Sequence, residues 1–212
     1  MNFTLGGAFN SRINLNLREA HGFTYGARSG FSGNEFIGPY TASAGVRGNA
    51  TDSSVVEFLK EIKNFSDKGI TDEELTFTKN SMGQNEALKY ETAMQKAGFI
   101  KRILDYDLDK SFTDKQSEIL KAIKKEEINE LAKKELPYDK MAILVVGDKS
   151  KVFESLTKLG YEVIELDVDG NVLKASTIQE TQKKEEPKKQ NPPPTNQTPP
   201  NTVKPRNIEN PR

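Results

Sequence analysis

Arg18 and Tyr25 lie seven residues apart, and the sequence between them contains a glycine that predicts the end of a helix. Arg18 would close the polar side of that helix, and Tyr25 would begin the strand that follows it. A guanidinium and a phenol at such a corner can both donate hydrogen bonds to a carbonyl oxygen or to an oxyanion. On spacing alone an alternative stays open, in which Arg18 pairs with a nearby carboxylate and Tyr25 is a half-buried strand aromatic.

The helix that would position Arg18 is predicted between Leu5 and His21 and has two unlike faces. At about 100° per residue, apolar side chains form one stripe and small or polar residues form another on nearly the opposite side. The apolar stripe is Leu5, Phe9, Ile13 and Leu17. The polar stripe is Gly7, Ser11, Asn14 and Arg18. A glycine within a polar face favours close approach of a packed or bound group, so the members of this stripe are candidate substrate-binding residues.

The sequence after this helix predicts a hairpin followed mainly by helices. Gly22 is expected to stop the helix with a positive φ angle, and residues 23–31 and 35–46 alternate like two strands. Thr71 and Glu74 have the spacing of a capping box at the start of a helix. The further predicted helices span residues 51–68, 71–90 with a continuation to 104, 122–135 and 152–159. Two more strands are predicted at residues 141–146 and 161–166.

This order of elements indicates an α+β fold with one mixed, largely antiparallel sheet and helices layered on one face. Residues 1–175 are predicted to form one half-domain. We expect it to lack its first strand, because Met1 is followed at once by what resembles the middle of a domain. Residues 176–212 hold eight of the ten prolines and few large apolar side chains. They therefore predict a disordered tail.

Charge, hydropathy and metal-ligating residues limit the function classes. The chain has 31 basic and 31 acidic residues, so nothing indicates nucleic-acid binding or an anionic membrane surface. It has no cysteine, and no apolar run approaches the ~20 residues of a membrane span. Its single histidine, His21, is interpreted as a helix-end residue. A catalytic zinc needs about three protein ligands, so no metal site is predicted in this chain.

A family resemblance is carried by the run LGGAFNSRINLNLREAHGFTYGARSGF. It resembles the C-terminal half-domain of the pitrilysin/insulinase-type zinc metallopeptidases, the inverzincins, a family related to mitochondrial processing peptidase. The likeness rests on LGG, on SR followed by LRE, and on TYG. Weaker blocks are ITDEEL, the pair Glu91-Thr92 and AILVVGD. Together they cover roughly residues 2–170.

The resemblance implies that two homologous α+β halves close around a peptide. In this family the N-terminal half carries the motif H-x-x-E-H and a further glutamate, which hold zinc. The other half supplies an Arg and a Tyr, seven residues apart, that hold the substrate backbone and stabilise the tetrahedral intermediate. Arg18 and Tyr25 match that pair. No H-x-x-E-H occurs in this sequence, so the resemblance implies that zinc is bound by a partner half-domain or subunit.

The leading hypothesis is therefore the substrate-binding half of a zinc-dependent endopeptidase, inactive alone. Its expected partners are a zinc-bearing N-terminal half and a peptide substrate. The alternative is a non-catalytic structural or peptide-binding subunit of the same fold. The chain would be either a fragment of a two-half peptidase or a separate subunit. Analogy with bacterial envelope peptidases favours the periplasm or cell envelope.

Overall fold

The computed structural model describes most of the first 173 residues. The described ranges are 1–33, 38–86, 90–136 and 138–173. The chain divides into two compact units, of which the first is Met1–Val163 and the second begins at Ile164. The predicted tail at 176–212 lies outside the described residues.

The N-terminal helical region is interrupted rather than continuous. Two π-helical segments, Phe3–Gly7 and Leu15–Ala20, are separated by a break, and α1 (Arg12–Asn14) leads into the second one. In the break, Ala8 is extended with φ −105° and ψ 160°. The expectation of one regular helix is therefore wrong. Two successive glycines weaken the first segment, and Ser11 starts the second from an extended conformation.

A β-hairpin follows the second π-helical segment. Strands β1 (Thr24–Phe31) and β2 (Tyr40–Val46) pair antiparallel, which confirms the predicted hairpin. The second strand begins at Tyr40 in the described residues, and residues 35–37 of the predicted strand lie outside them. The register shifts between Thr24 and Ala27, so β1 contains a bulge. Gly22 has φ 60°, which confirms the predicted helix stop.

Six longer helices complete the first unit. They are α2 (Thr51–Lys68), α3 (Asp72–Glu86), α4 (Ala93–Asp105), α5 (Phe112–Ala122), α6 (Lys125–Glu135) and α7 (Lys149–Thr157). Of these, α5 was not expected from the sequence, whereas α6 corresponds to the helix predicted at 122–135 and begins three residues later than expected. None of the helices in the described ranges is long and apolar enough to cross a membrane.

Two of the predicted strands are not formed. Residues 141–146 and 161–166 lack strand structure, contrary to the sequence expectation. A strand is defined by backbone hydrogen bonds to a neighbour, and within the described ranges neither segment has a neighbouring strand. Only Leu166 forms an isolated bridge, with Val172. The fold class is α+β as expected, and the described sheet has two antiparallel strands.

The hydrophobic core joins the N-terminal segments to the hairpin, α2 and α6. It consists of Leu5, Ile13, Leu17, Ala27, Ile62, Phe65, Ile70, Ile128, Ala132 and Leu136. Three members of the predicted apolar stripe are therefore in the core. The fourth, Phe9, is 72% exposed. A π-helical turn holds more residues than an α-helical one, so a projection at 100° per residue does not describe this region.

The N-terminal segment packs directly on β1 at Gly6. A Cβ atom built there would lie 2.1 Å from Ser29 Oγ and 2.7 Å from the Ser29 nitrogen, so only glycine fits. Asn2 fixes the same approach. Its Nδ2 donates to the Ser29 carbonyl at 2.9 Å, and its Oδ1 accepts from Ser29 Oγ at 2.7 Å. These contacts fix the position of the N-terminal segment on β1.

Arg12 connects the N-terminal region to the start of α3. Its Nε and Nη2 donate to the two carboxylate oxygens of Glu74 at 2.6 and 2.5 Å, and Nη2 also donates to the Gly69 carbonyl. The guanidinium lies 4.9 Å from the ring centroid of Phe65. Glu74 also accepts from the Thr71 amide at 2.8 Å, and Thr71 Oγ1 accepts from the Glu74 amide at 3.2 Å. The predicted capping box is therefore confirmed.

Replacing Arg12 with methionine should lower the free energy of unfolding by about 1–2 kcal/mol, because a half-buried charged hydrogen-bond set is lost. The stability that the Arg12–Glu74 pair contributes should depend on pH, because Glu74 must be ionised to form it. Burial alone would raise the pKa of Glu74, but hydrogen bonds from Arg12 and Thr71 outweigh burial and lower it. Because the pKa of Glu74 is lower in the folded state than in the unfolded state, the ionised carboxylate stabilises the folded protein. This stabilisation is fully present at pH values above the unfolded-state pKa, which is 4.5. That stabilisation is lost as the pH falls through the folded-state pKa.

Urea unfolding, followed by circular dichroism from neutral pH down to about pH 3, measures this contribution. Glu74→Gln is the matched control, since it keeps the size of the side chain but removes its titration. The wild type should lose more stability on acidification than Glu74→Gln does. Equal losses in the two proteins would contradict the role assigned to this pair.

Candidate functional site

An open hollow of about 600 Å³ lies where the N-terminal segment meets the hairpin. Its lining includes Gly7, Phe9, Asn14, Tyr25 and Arg28. The rest of the lining consists of glycine, alanine and serine residues of the N-terminal segment, β1 and β2. Because these side chains are small, a ligand in the hollow can approach the backbone closely.

Tyr25 stands at the bulge of β1 and is 99% exposed. Thr24 holds the bulge, since its Oγ1 donates to the Gly45 carbonyl at 2.7 Å and accepts from the Gly26 amide at 3.1 Å. A bulge bends a strand and changes the direction of its side chains. The phenol of Tyr25 is therefore available to solvent and to a ligand at the hollow.

Arg18 contacts Phe9, which is one of the residues that line the hollow. Its guanidinium carbon lies 4.6 Å from the centroid of the Phe9 ring, and that ring lines the hollow together with Tyr25. Arg18 itself is not among the lining residues. Its Nη1 donates to Glu19 Oε1 at 2.7 Å, which is the carboxylate pairing that the spacing left open. The Arg18 side chain keeps 33% of its surface exposed.

The backbone that carries Arg18 is anchored to α2 by Asn16. The Asn16 Nδ2 atom donates to Glu57 Oε2 at 2.8 Å and to Glu61 Oε1 at 2.7 Å. His21 ends the π-helical segment, and its Nε2 lies 3.9 Å from Glu57 Oε2. This position agrees with the interpretation of His21 as a helix-end residue. These contacts hold the π-helical segment Leu15–Ala20 against α2, and the Arg18 guanidinium stays partly exposed at the surface.

Ser11 and Asn14 do not share an exposed stripe with Gly7 and Arg18. They are only 1% and 3% exposed, so the expectation of one open polar face is wrong. The break in the helix rotates the residues that follow it. Gly7 is exposed and lines the hollow, whereas Ser11 does not line it. A role for these residues in substrate binding stays a prediction.

Asn14 connects two walls of the hollow. Its Oδ1 accepts from the Ala27 amide at 2.9 Å, and its Nδ2 donates to the Phe9 carbonyl at 2.5 Å. One side chain therefore fixes both β1 and the loop that carries Phe9. Asn14 is a positioning residue for the ring on which Arg18 lies.

Two residues at the hollow were not recognised from the sequence as site residues. Phe9 was assigned to the core because helical periodicity places it beside Ile13, and only the break shows otherwise. Arg28 lies opposite Ser43 in the hairpin register and lines the hollow. Strand alternation alone does not place it with Tyr25, since the bulge changes the parity of β1. A cation flanked by small residues is the one signal that could have found it.

The described residues do not fit a metal ion. No group of three or more histidine, cysteine, aspartate or glutamate side chains among them could hold one. Zinc therefore has no set of ligands in the part of the chain that the structure describes. We assign no chemical step to a metal bound there.

The part of the chain that forms the hairpin and the hollow is similar to a known family. Residues 1–82 match the family model of the peptidase M16 inactive domain. This match confirms the predicted resemblance to the C-terminal half-domain of the M16, or pitrilysin/insulinase-type, peptidases. Arg18, Tyr25 and the hollow all lie within the matched residues.

Two solved structures are similar to this chain. One is a peptidase M16 inactive domain from Pseudomonas fluorescens, with 23% identity and a TM-score of 0.60, covering 66% of this chain and 33% of that one. The other is a conserved protein from Enterococcus faecalis V583, with 22% identity and a TM-score of 0.50, covering 62% of this chain and 31% of that one. These likenesses show the fold, and the chain spans about a third of each structure's length. None of the curated proteins compared with it matches.

Proposed function

We propose that this chain is the substrate-binding half of a zinc-dependent endopeptidase and that a separate half-domain holds the zinc. The observation that carries the proposal is the composition of the hollow. Tyr25 is fully exposed there, and Phe9 supports the Arg18 guanidinium 4.6 Å from its ring centroid. The family match over residues 1–82 supports a peptidase-type half-domain around this hollow.

Arg18 and Tyr25 would act as hydrogen-bond donors to the substrate. A guanidinium carries five N–H donors, and a phenol carries one O–H. Both can donate to the carbonyl oxygen of a bound peptide and to the negative charge that develops on that oxygen during hydrolysis. Gly7 would leave room for the peptide backbone. Ser11 and Asn14 would support that wall from inside.

The ion pair between Arg18 and Glu19 does not prevent this role. One guanidinium nitrogen is engaged at 2.7 Å, and the other N–H groups can still donate. Both side chains are partly exposed, and ion pairs of this kind contribute only about 0–1 kcal/mol. A substrate carbonyl in a site closed by a second half-domain would compete effectively with Glu19.

A non-catalytic structural or peptide-binding subunit of the same fold is the second candidate. The contact between Arg18 and Glu19 favours it, because the guanidinium is then used within the chain. In that case the hollow would bind a peptide without helping to cleave it.

Co-expression with a half-domain that carries H-x-x-E-H tests the proposal. The two chains together should hydrolyse a library of quenched fluorescent peptides, and neither should do so alone. The control is the same pair with the motif glutamate of the partner replaced by glutamine. A complex that binds the peptides but leaves them intact would favour the second candidate. A failure both to bind and to cleave would contradict the proposal.

A further inference from the structure

Arg28 is a residue of the hollow to which the proposed function gives no role. It lies opposite Ser43 in the hairpin, and both residues line the hollow. Among the described residues of that lining, Arg28 alone carries a charge. The hollow is therefore positively charged at this wall, and none of its described lining residues is acidic.

The face of the hairpin that carries Arg28 is open. Side chains alternate between the two faces of a strand, and the other face packs into the core through three alanines, Ala27, Ala42 and Ala44. Arg28 and Ser43 lie on the outer face, where both are exposed. A Cβ atom built on Gly30 or Gly45, which lie next to them on that face, would meet nothing within 4 Å. Within the described ranges, the guanidinium therefore has open space beside it.

The Arg28 guanidinium is unpaired in the part of the chain that the structure describes. No hydrogen bond, ion pair or ring contact joins its side chain to another described residue. Arg12 and Arg18 differ from it, because each of them forms an ion pair with a glutamate of this chain. A guanidinium that lines a hollow without a carboxylate partner is suited to bind a carboxylate that enters from outside.

We infer that Arg28 selects peptides that carry a carboxylate near the cleaved bond, because its guanidinium pairs with that carboxylate. The inference rests on the proposed function for the peptide and for the position of the cleaved bond beside Tyr25. Tyr25 and Arg28 lie three residues apart on β1, which is at most about 10 Å along a strand. An extended peptide advances by the same distance per residue, so the carboxylate belongs within about three positions of the cleaved bond.

Two groups of a peptide have this chemistry. One is the side chain of an aspartate or a glutamate, and the other is the C-terminal carboxylate of a short peptide. Both present two acceptor oxygens in one plane, which a guanidinium binds with two parallel hydrogen bonds. Arg18 does not provide the same selectivity, because its Nη1 already donates to Glu19 and its side chain does not line the hollow.

Peptide binding to the full chain tests the inference without peptidase activity. The probes are the capped peptide Ala-Ala-Leu-Ala-Glu-Ala-Ala and its analogue with glutamine in place of the glutamate. Nuclear magnetic resonance titration of the isotope-labelled chain, up to about millimolar peptide, measures both affinities. The glutamate peptide should bind at least about 10-fold more tightly, as is usual for hydrogen bonds between charged groups. It should also shift the Nε–H signal of Arg28.

A third peptide distinguishes the two sources of the carboxylate. It is the glutamine analogue with a free C-terminus instead of a capped one. Tighter binding of this peptide than of its capped form would assign the C-terminal carboxylate to Arg28, whereas tighter binding of the glutamate peptide alone would assign the side chain. If neither carboxylate peptide bound more tightly than the capped glutamine peptide, the inference would be overturned.

Variants of Arg28 assign the preference to this side chain. Arg28→Gln should weaken binding of the glutamate peptide by about 10-fold and leave binding of the glutamine peptide unchanged. Arg28→Glu should reverse the preference toward a peptide with lysine at the same position. Arg47→Gln is the matched control, since Arg47 is also exposed and follows β2 but does not line the hollow. Equal losses in Arg28→Gln and Arg47→Gln would indicate attraction to the overall charge and would overturn the inference.

Hydrolysis by the assembled peptidase separates selectivity from catalysis. Arg28→Gln should lower kcat/KM by about 10-fold for a substrate with glutamate near the cleaved bond. The value for the matching glutamine substrate should not change. Equal losses on both substrates would show that Arg28 acts on the partner half or on catalysis, and would overturn the inference. A complex that cleaves neither substrate would count against the proposed function alone, because the binding measurements still decide the role of Arg28.

Discussion

Replacing Arg18 with alanine in the assembled peptidase should lower kcat by about 10²–10³, which corresponds to about 2.7–4 kcal/mol of transition-state stabilisation. The effect should fall on kcat more than on KM. In the proposed role the guanidinium would bind the neutral substrate carbonyl weakly and the negatively charged oxygen of the tetrahedral intermediate strongly. Steady-state hydrolysis of one defined peptide by the complex measures both parameters.

Tyr25→Phe is the companion variant, because it removes one O–H and keeps the ring. It should lower kcat in the same direction, and its stability should equal that of the wild type, since Tyr25 is 99% exposed. Glu19→Gln is the control for the local ion pair. It releases the Arg18 guanidinium, so kcat should stay the same or rise.

The metal content of the complex separates this role from a structural one. The zinc content of the Arg18→Ala and Tyr25→Phe complexes should equal that of the wild type, because neither side chain is a metal ligand in the proposal and the described part of this half has no group of three or more metal-ligating side chains. Near-normal turnover in both variants would remove the assignment. Parallel loss of zinc and of turnover would indicate that the two halves no longer fit together.

If the Arg18 guanidinium and the Tyr25 phenol donate to the same substrate oxygen, the losses of kcat in the two single variants should not be additive. The double variant should then lose less than the product of the two single losses, since residues that act as a unit show strong coupling. Full additivity would instead place the two donors on different atoms of the substrate.

Local signals in the sequence predicted much of the fold correctly. The capping box of Thr71 and Glu74 is formed, and Gly22 has the positive φ angle expected of a helix stop. The bounds of α2 were also correct. The sequence between Thr51 and Lys68 contains residues that start a helix and apolar residues at helical spacing, and Gly69 directly after it ends the helix. Each of these features depends on residues three or four positions apart, which a sequence displays directly.

Features that depend on distant partners could not be predicted in this way. The run at 141–146 has strand composition, but a strand also needs a neighbour, and the described residues provide none. The close contact of Gly6 with Ser29, next to the break after Gly7, joins residues that are remote in sequence. For the candidate site, types and spacing selected Arg18 and Tyr25 as candidates, and their role stays a prediction. Periodicity alone could not show that Phe9 would be exposed and support the guanidinium.

Asn14→Ala should lower the free energy of unfolding by about 2–4 kcal/mol, because the buried Ala27 amide and the partly buried Phe9 carbonyl would each lose their partner. The amide of Ala27 and the carbonyl of Phe9 depend on this one side chain. Asn14 is 3% exposed, so water cannot easily replace it. Urea unfolding of the full chain at neutral pH measures the loss.

Asn10→Ala is the matched control, since Asn10 is an exposed residue of the neighbouring loop and should change stability by less than about 0.5 kcal/mol. Asn14→Asp keeps the acceptor for the Ala27 amide but replaces the donor to Phe9 with a carboxylate. The second carboxylate oxygen would then face the Phe9 carbonyl with no donor between them, which is costly in the charged form. This variant should therefore be least stable at neutral pH and recover on mild acidification. If Asn14→Ala unfolded like the wild type yet bound peptide weakly, the side chain would act on the ligand, and its structural role would be refuted.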